Sequence, residues 1–361
     1  MKRLLLLNGI AIFAVVLNHA AAFGHYAMFL WTHQYRPVVS PNWDQIGSID
    51  YYILLFLRQI AVFSVPAFIF VAGYFVAYAA RGTQNTVSWK VMRVKITHLL
   101  IPYIIWSTAI FFGDFLQGIP HSLIDYIRLF FTEGAVGPYS FIPLLCYLYL
   151  LTPLIILVTK RSWLIMLIVS ALILICGITL YYIDPNPIKQ LLIRFTHNWL
   201  PTLFLFYFVL GLIYGIRQQP FNRWLERNKL ALIIALFISL LLNLIESDLR
   251  MQTTEKWGAF FGNITFVLYA TTFILFFLSL DKIPFRNIFA YLGPMSLGIY
   301  FLHWTVIAII ASSIYHLLPW LLAYRVLFVP LLLAVGLGIP IIVMKLFARS
   351  PGRRYYRYLF G

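Results

Sequence analysis

His19 is the side chain best suited to moving a proton in this 361-residue sequence, because a neutral imidazole with a reference pKa near ~6.5 both takes and returns protons near neutrality. It comes late in the apolar run LLLLNGIAIFAVVLNHA, and Asn8 lies eleven residues before it, about three helical turns away and on the same face. Both also suit plain interhelical hydrogen bonding. Ser296, Tyr300 and His303 follow one another at spacings of four and three, which sets a hydroxyl, a phenol and an imidazole along one face of a helix. Such a stripe fits either packing or a path for a polar substrate. Lys90, Arg93, Lys95 and His98 precede Pro102 and form a basic cluster that could grip phosphate, by a guanidinium fork or by an ammonium point charge. No glycine-rich phosphate loop accompanies it. Arg58 is a charge inside an apolar segment, placed either to snorkel outward or to meet a substrate. No serine or cysteine has nucleophile-elbow spacing, which disfavours a covalent intermediate on the protein.

The elements that must position these groups are membrane helices. Hydrophobic residues make up 62% of the chain and charged residues only 11%, with a mean hydropathy of +0.88, far from the soluble norm of about a quarter charged. Ten apolar segments stand out: Leu4–Gly24, Tyr51–Ala80, Thr97–Leu116, Pro138–Val158, Trp163–Ile183, Leu200–Ile216, Leu230–Ile245, Phe260–Leu280, Tyr291–Ile314 and Leu321–Phe347. Each approaches the length needed to cross about 30 Å of hydrocarbon. The strict alternation of barrel strands is absent. The expected architecture is therefore an all-α polytopic bundle of about ten transmembrane helices, forming one domain over residues 1–361.

With the N-terminus inside, the inner linkers and tails carry 19 lysines and arginines and the outer side 7, Arg58 being left within a segment. That imbalance follows the positive-inside rule and puts both termini in the cytoplasm. It also accounts for the net charge of +16 without nucleic acid as a partner, since the charges are scattered over short linkers. Lys2 and Arg3 before an apolar run imitate a signal peptide, but Asn8, Asn18 and His19 within that run read as a retained first span. Cys146 and Cys176 both fall in spans and are too few for a disulfide scaffold or a zinc site. The longest outer loop, His25 to Asp50, is rich in Trp, Tyr and Pro and could fold back as a lid.

Six pieces of the chain, in order, resemble acyltransferase family 3, integral-membrane enzymes that move acyl groups from cytoplasmic acyl-CoA to acceptors beyond the membrane, often sugars of bacterial surface polysaccharides. They are the first span with His19, VPAFIFVAGYFVAY at 65–78, WKVMRVKITHLLIPYIIW at 89–106, GPYSFIPLLCYLYLLTP at 137–153, LFYFVLGLIYG at 205–215 and SLGIYFLH at 296–303. The resemblance covers about residues 4–346 and leaves a short basic tail at 347–361. It implies His19 as the catalytic base and Arg93 with Lys95 as the pair that takes donor phosphates. The sequence departs from the family twice, with Asn8 where an arginine is usual and Lys95 where arginine is commoner.

On this resemblance the donor is acyl-CoA, most simply acetyl-CoA, with no permanently bound cofactor. Its phosphates dock at Arg93 and Lys95, with Lys90 and Asn8 as further contacts, and its thioester reaches His19. Oxyanion donors would come from Tyr300, Ser296 or Tyr139, and Arg58 or Tyr139 would contact the acceptor. His303 would hold a tautomer or touch substrate. The expected setting is the bacterial plasma membrane, with lipid and a carbohydrate or lipid-linked acceptor as partners. A transporter or flippase for a lipid-linked sugar or small solute stays open as the alternative.

Overall fold

Apolar backbone in lipid must satisfy its own hydrogen bonds, and these segments do so as helices. The computed structural model describes residues 2–80, 86–119, 121–180, 182, 201–254 and 263–361, and among them there is no strand. The charges at Arg81, Lys189, Arg194 and Lys256, and the segment ends at Ile183, Leu200 and Phe260, lie outside the described residues.

The helices are α1 Lys2–His25, α2 Ile49–Ala61, α3 Ser64–Ala79, α4 Trp89–Leu116, α5 Leu123–Phe131, α6 Phe141–Arg161 and α7 Trp163–Thr179. They continue with α8 Leu205–Ile216, α9 Gln218–Arg227, α10 Lys229–Thr254, α11 Ile264–Ser279, α12 Arg286–Leu317, α13 Arg325–Arg349 and the short α14 Tyr356–Phe360. Ser48, Ser88 and Ser122 open α2, α4 and α5 by accepting a hydrogen bond from a backbone N–H of the first turn.

Among the described residues, seven stretches are long and apolar enough to cross a membrane: Lys2–Leu30, Ile49–Ala79, Trp89–Leu116, Gly137–Arg161, Lys229–Thr253, Arg286–Leu317 and Arg325–Arg349. The chain is thus a multi-pass membrane protein. The remaining three expected segments are the shorter apolar helices α7, α8 and α11. At roughly 1.5 Å per residue, α8 covers only about 18 Å of the ~30 Å hydrocarbon layer.

Several boundaries differ from the sequence reading, with α4 beginning early at Trp89 and α10 running on past Ile245 to Thr254. The second segment is not one helix, since α2 ends at Ala61 and α3 begins at Ser64. Pro66 explains the break, because its ring clashes with the carbonyl four residues back, at Val62, and it has no N–H to donate. The first helix runs past Gly24, and a wide π-helical turn over Tyr26–Leu30 carries it on. Gly24 does not break the helix, and the apolar residues Tyr26–Leu30 continue it, so the loop begins at Trp31 and not at His25.

The described residues cluster into two compact units, one of Met1–Val65 with Asn228–Pro351 and one of Pro66–Arg227 with Gly352–Gly361. In the first unit α1 lies against α12 so closely that a Cβ on Gly9 would stand 2.0 Å from the Phe289 carbonyl oxygen, and one on Gly293 2.2 Å from that of Leu5. Arg3 at the start of α1 donates to the Leu278 and Leu280 carbonyls at 2.6 and 2.7 Å, capping the end of α11. Nearby, the Lys229 ammonium pairs with Asp281 at 2.6 Å and holds that exposed carboxyl below its usual range. At the other end, Arg325 binds Asp50 and the Tyr35 hydroxyl, each at 2.8 Å, while His33 and Gln34 meet the Tyr315 hydroxyl at 3.0 and 2.8 Å. The loop after α1 is therefore pinned across the ends of α12 and α13.

In the second unit α3 and α8 touch by the same means. A Cβ on Gly73 would meet the Phe208 carbonyl oxygen at 2.1 Å, and one on Gly211 that of Phe70 at 2.0 Å. The tail helix α14 returns to α4, where the Trp106 indole N–H donates to the Leu359 carbonyl at 2.8 Å.

Candidate active site

The close approach of α1 and α12 brings together the two histidines named on separate grounds above. Their ring centroids are 5.3 Å apart. His19 is half-buried, and its ring meets Trp304, the residue after His303, edge to face at 5.0 Å. Neither nitrogen of His19 has a hydrogen-bond partner among the described residues. His303 is fully buried, with Nδ1 against two carbonyl oxygens of its own helix, 2.7 Å from Tyr300 and 3.1 Å from Ile299. Its Nε2 is buried with no hydrogen-bond partner among the described residues.

Around this pair the first unit supplies one cation and a column of rings. Arg58 on α2 is only 5% exposed, so it does not snorkel, and its charge is within electrostatic reach of His19 and His25. Asn18 helps to hold it there by donating from Nδ2 to the Arg58 carbonyl at 3.3 Å. From Trp304 the rings continue through Phe23, at 5.5 Å, to Tyr26 and Trp31, and from Trp31 to Tyr315 at 5.1 Å. A half-exposed imidazole on this wall can take a proton from a hydroxyl group, and the neighbouring guanidinium can stabilise negative charge on an oxygen.

The other expected residues divide between the units. Tyr300 belongs with the pair, its ring 6.0 Å from that of His303, and Ser296 is half-buried one turn earlier on the same stripe. Asn8 lies on α1 beside the Gly9 contact, with its Oδ1 buried and unpartnered among the described residues. Lys90, Arg93, Lys95 and Tyr139 are all in the second unit. Lys90 and Arg93 are exposed, whereas Lys95 is half-buried with its ammonium 5.7 Å from the Tyr149 ring centroid. Two residues apart on α4, Arg93 and Lys95 start from different sides of the helix. Tyr139 is fully buried, 6.1 Å from the Tyr103 ring.

One polar cluster escaped the sequence reading. Asn243 donates to Gln59 at 2.8 Å, Asn263 donates to Ser247 at 2.9 Å, and Arg250 donates to Asn263 at 2.6 Å. The Glu246 carboxylate accepts from the backbone N–H groups of Ile264 and Thr265 at 3.2 and 3.0 Å and also from the Thr265 hydroxyl, where the positive end of the α11 dipole favours an anion. A signal was present, since Asn243, Glu246 and Ser247 fall at i, i+3 and i+4 on one face of an otherwise apolar segment.

Comparison with known protein families decides the class. A family model described as an acyltransferase domain, of the acyltransferase 3 family, matches residues 3–345. The chain belongs to acyltransferase family 3. This acyltransferase matches no curated protein and no solved structure in the same comparisons. The family match runs through both compact units, from α1 with His19 to the last turns of α13.

Proposed function

We propose that this membrane acyltransferase moves an acetyl group from cytoplasmic acetyl-CoA to a hydroxyl of an extracytoplasmic or lipid-linked carbohydrate, in the plasma membrane of a bacterium. The observation that carries the reading is the state of His19, a half-buried imidazole with both nitrogens uncommitted to described residues, held by two rings of α12 in an acyltransferase chain. A base that must take a substrate proton has to keep a lone pair available. In this reading His19 deprotonates the acceptor hydroxyl as it attacks the thioester, and Arg58, Tyr300 or Ser296 steadies the oxyanion. Arg93 and Lys95, with Lys90, attract the donor phosphates, each as a separate contact. Asn8 offers its amide to the donor arm. Ten crossings with both termini cytoplasmic remain the proposed topology, supported by the charge imbalance across the linkers.

The test is direct. The purified protein in lipid nanodiscs, given acetyl-CoA labelled in the acetyl group and a lipid-linked glycan, is expected to release CoA and to place the label on the glycan. Uptake of a sugar by proteoliposomes, without transfer of label under any acceptor tried, would overturn this reading in favour of transport.

A further inference from the structure

A carbonyl oxygen can only accept a hydrogen bond, so the nitrogen that faces two of them must carry the proton. Nδ1 of His303 faces the Ile299 and Tyr300 carbonyls, which fixes Nε2 as the lone-pair nitrogen of the neutral ring. That lone pair is buried without a partner among the described residues, a costly state for a polar atom in an apolar bundle unless something is meant to meet it. The ring of His19 stands 5.3 Å away, a separation at which nitrogens turned toward each other come within hydrogen-bonding reach.

We propose that His303 is a positioning residue whose Nε2 accepts the N–H of His19 once that ring turns toward it as substrate enters, so that His19 presents its other nitrogen, as a lone pair, to the acceptor hydroxyl. The roles on the His19 side rest on the acyltransfer reading above. The acceptor oxygen forms its bond to the thioester carbonyl carbon while its proton passes to His19, and the resulting imidazolium is stabilised by the His303 lone pair. The C–S bond then breaks with its electron pair going to sulfur, and His19 returns the proton to the CoA thiolate. His303 stays neutral through the cycle, because its Nε2 only accepts the His19 N–H while the proton that moves is taken up and returned at the other nitrogen of His19. Among the described residues, the charged and titratable groups that act on His19 are His303 from α12 and Arg58 from α2. Arg58 acts by its field, whereas His303 acts by a directed lone pair.

The test compares the intact protein with His303→Leu and His303→Gln in nanodiscs, reading the His19 ring by ¹⁵N NMR with His19→Gln as the assignment control, and reading acetyl transfer as a function of pH. Leucine removes the lone pair; glutamine keeps an acceptor near the place of Nε2 and an N–H for the backbone. In His303→Leu the His19 ring is expected to become a mixture of tautomers and transfer to drop by up to about 10²-fold. His303→Gln is expected to restore a single His19 tautomer and most of the rate. An unchanged His19 spectrum in His303→Leu overturns the proposal. So does a His303→Gln protein that is as slow as His303→Leu while its His19 spectrum is native, since His303 would then take part in the chemistry itself. The spectra stand apart from turnover: native coupling of the two rings in a protein that transfers nothing from acetyl-CoA supports the pair and removes the donor assignment.

Discussion

Gly9 and Gly293 let α1 and α12 touch in the first unit, and Gly73 and Gly211 do the same for α3 and α8 in the second. In both, backbone carbonyls occupy the space that a methyl group would fill. What surrounds the contacts differs. Along the first, two imidazoles, a buried guanidinium and an asparagine are held among apolar side chains. The second is lined by rings, with Tyr214 tilted against Phe70 and Tyr74 at 5.8 and 5.6 Å and Phe208 against Tyr149 at 6.3 Å. Close backbone contact is thus a means of packing helices in lipid, with or without polar groups beside it.

The largest effect expected from this contrast is at His19. His19→Ala and His19→Gln should each lose about 10²–10⁴ of transfer while CoA affinity and thermal stability stay near those of the parent. A loss of CoA affinity as large as the loss of turnover would break the contrast, because it would make His19 itself a donor-binding residue. The second effect belongs to the second unit. Arg93→Ala should weaken CoA binding by about 1.5–3 kcal/mol and Lys95→Ala by less, since the lysine is half-buried over a tyrosine ring. Titration calorimetry with CoA, with Arg223→Ala as the control for general cytoplasmic charge, separates phosphate binding from charge balance. Equal small changes in all three variants would leave these cations to topology alone. The smallest effect tests the feature the units share: Gly9→Ala and Gly211→Ala should each destabilise by about 1–3 kcal/mol, read as a fall in melting temperature. A marked drop for one glycine and none for the other would show that the two contacts are not equivalent.

Much of this was legible in the sequence, because lipid imposes length and apolarity on every span and hydropathy reports both directly. The placement of His19 was legible for the same reason, as an imidazole is conspicuous in an apolar run. Its partner was half legible: the four-and-three spacing of Ser296, Tyr300 and His303 defined a stripe, but no spacing could say which helix that stripe faced. The break at Val62 was written in Pro66 yet hidden by the unbroken hydropathy of the segment. Gln59, Asn243 and Asn263 were harder to find, since they meet across sequence separations of 184 and 16 residues and only tertiary packing joins them to their partners. Arg93 and Lys95 were read as a basic pair through the family resemblance, but the sequence could not show that the arginine is exposed and the lysine half-buried over a tyrosine ring.

The cap that Arg3 places on the end of α11 has a consequence for biosynthesis. Arg3 and Leu278 are 275 residues apart, and at roughly 5–20 residues per second the ribosome needs about 14–55 s to make the chain between them. Through that interval α1, with Asn8 and His19 on its flank, must be sheltered in the translocon or by other helices, since the α12 face that will cover it has not been synthesised. Insertion machinery that released α1 early into lipid would leave an imidazole and an amide in hydrocarbon. Variants that delay the last third of the chain should therefore be recognised by membrane quality control before any defect in catalysis is seen.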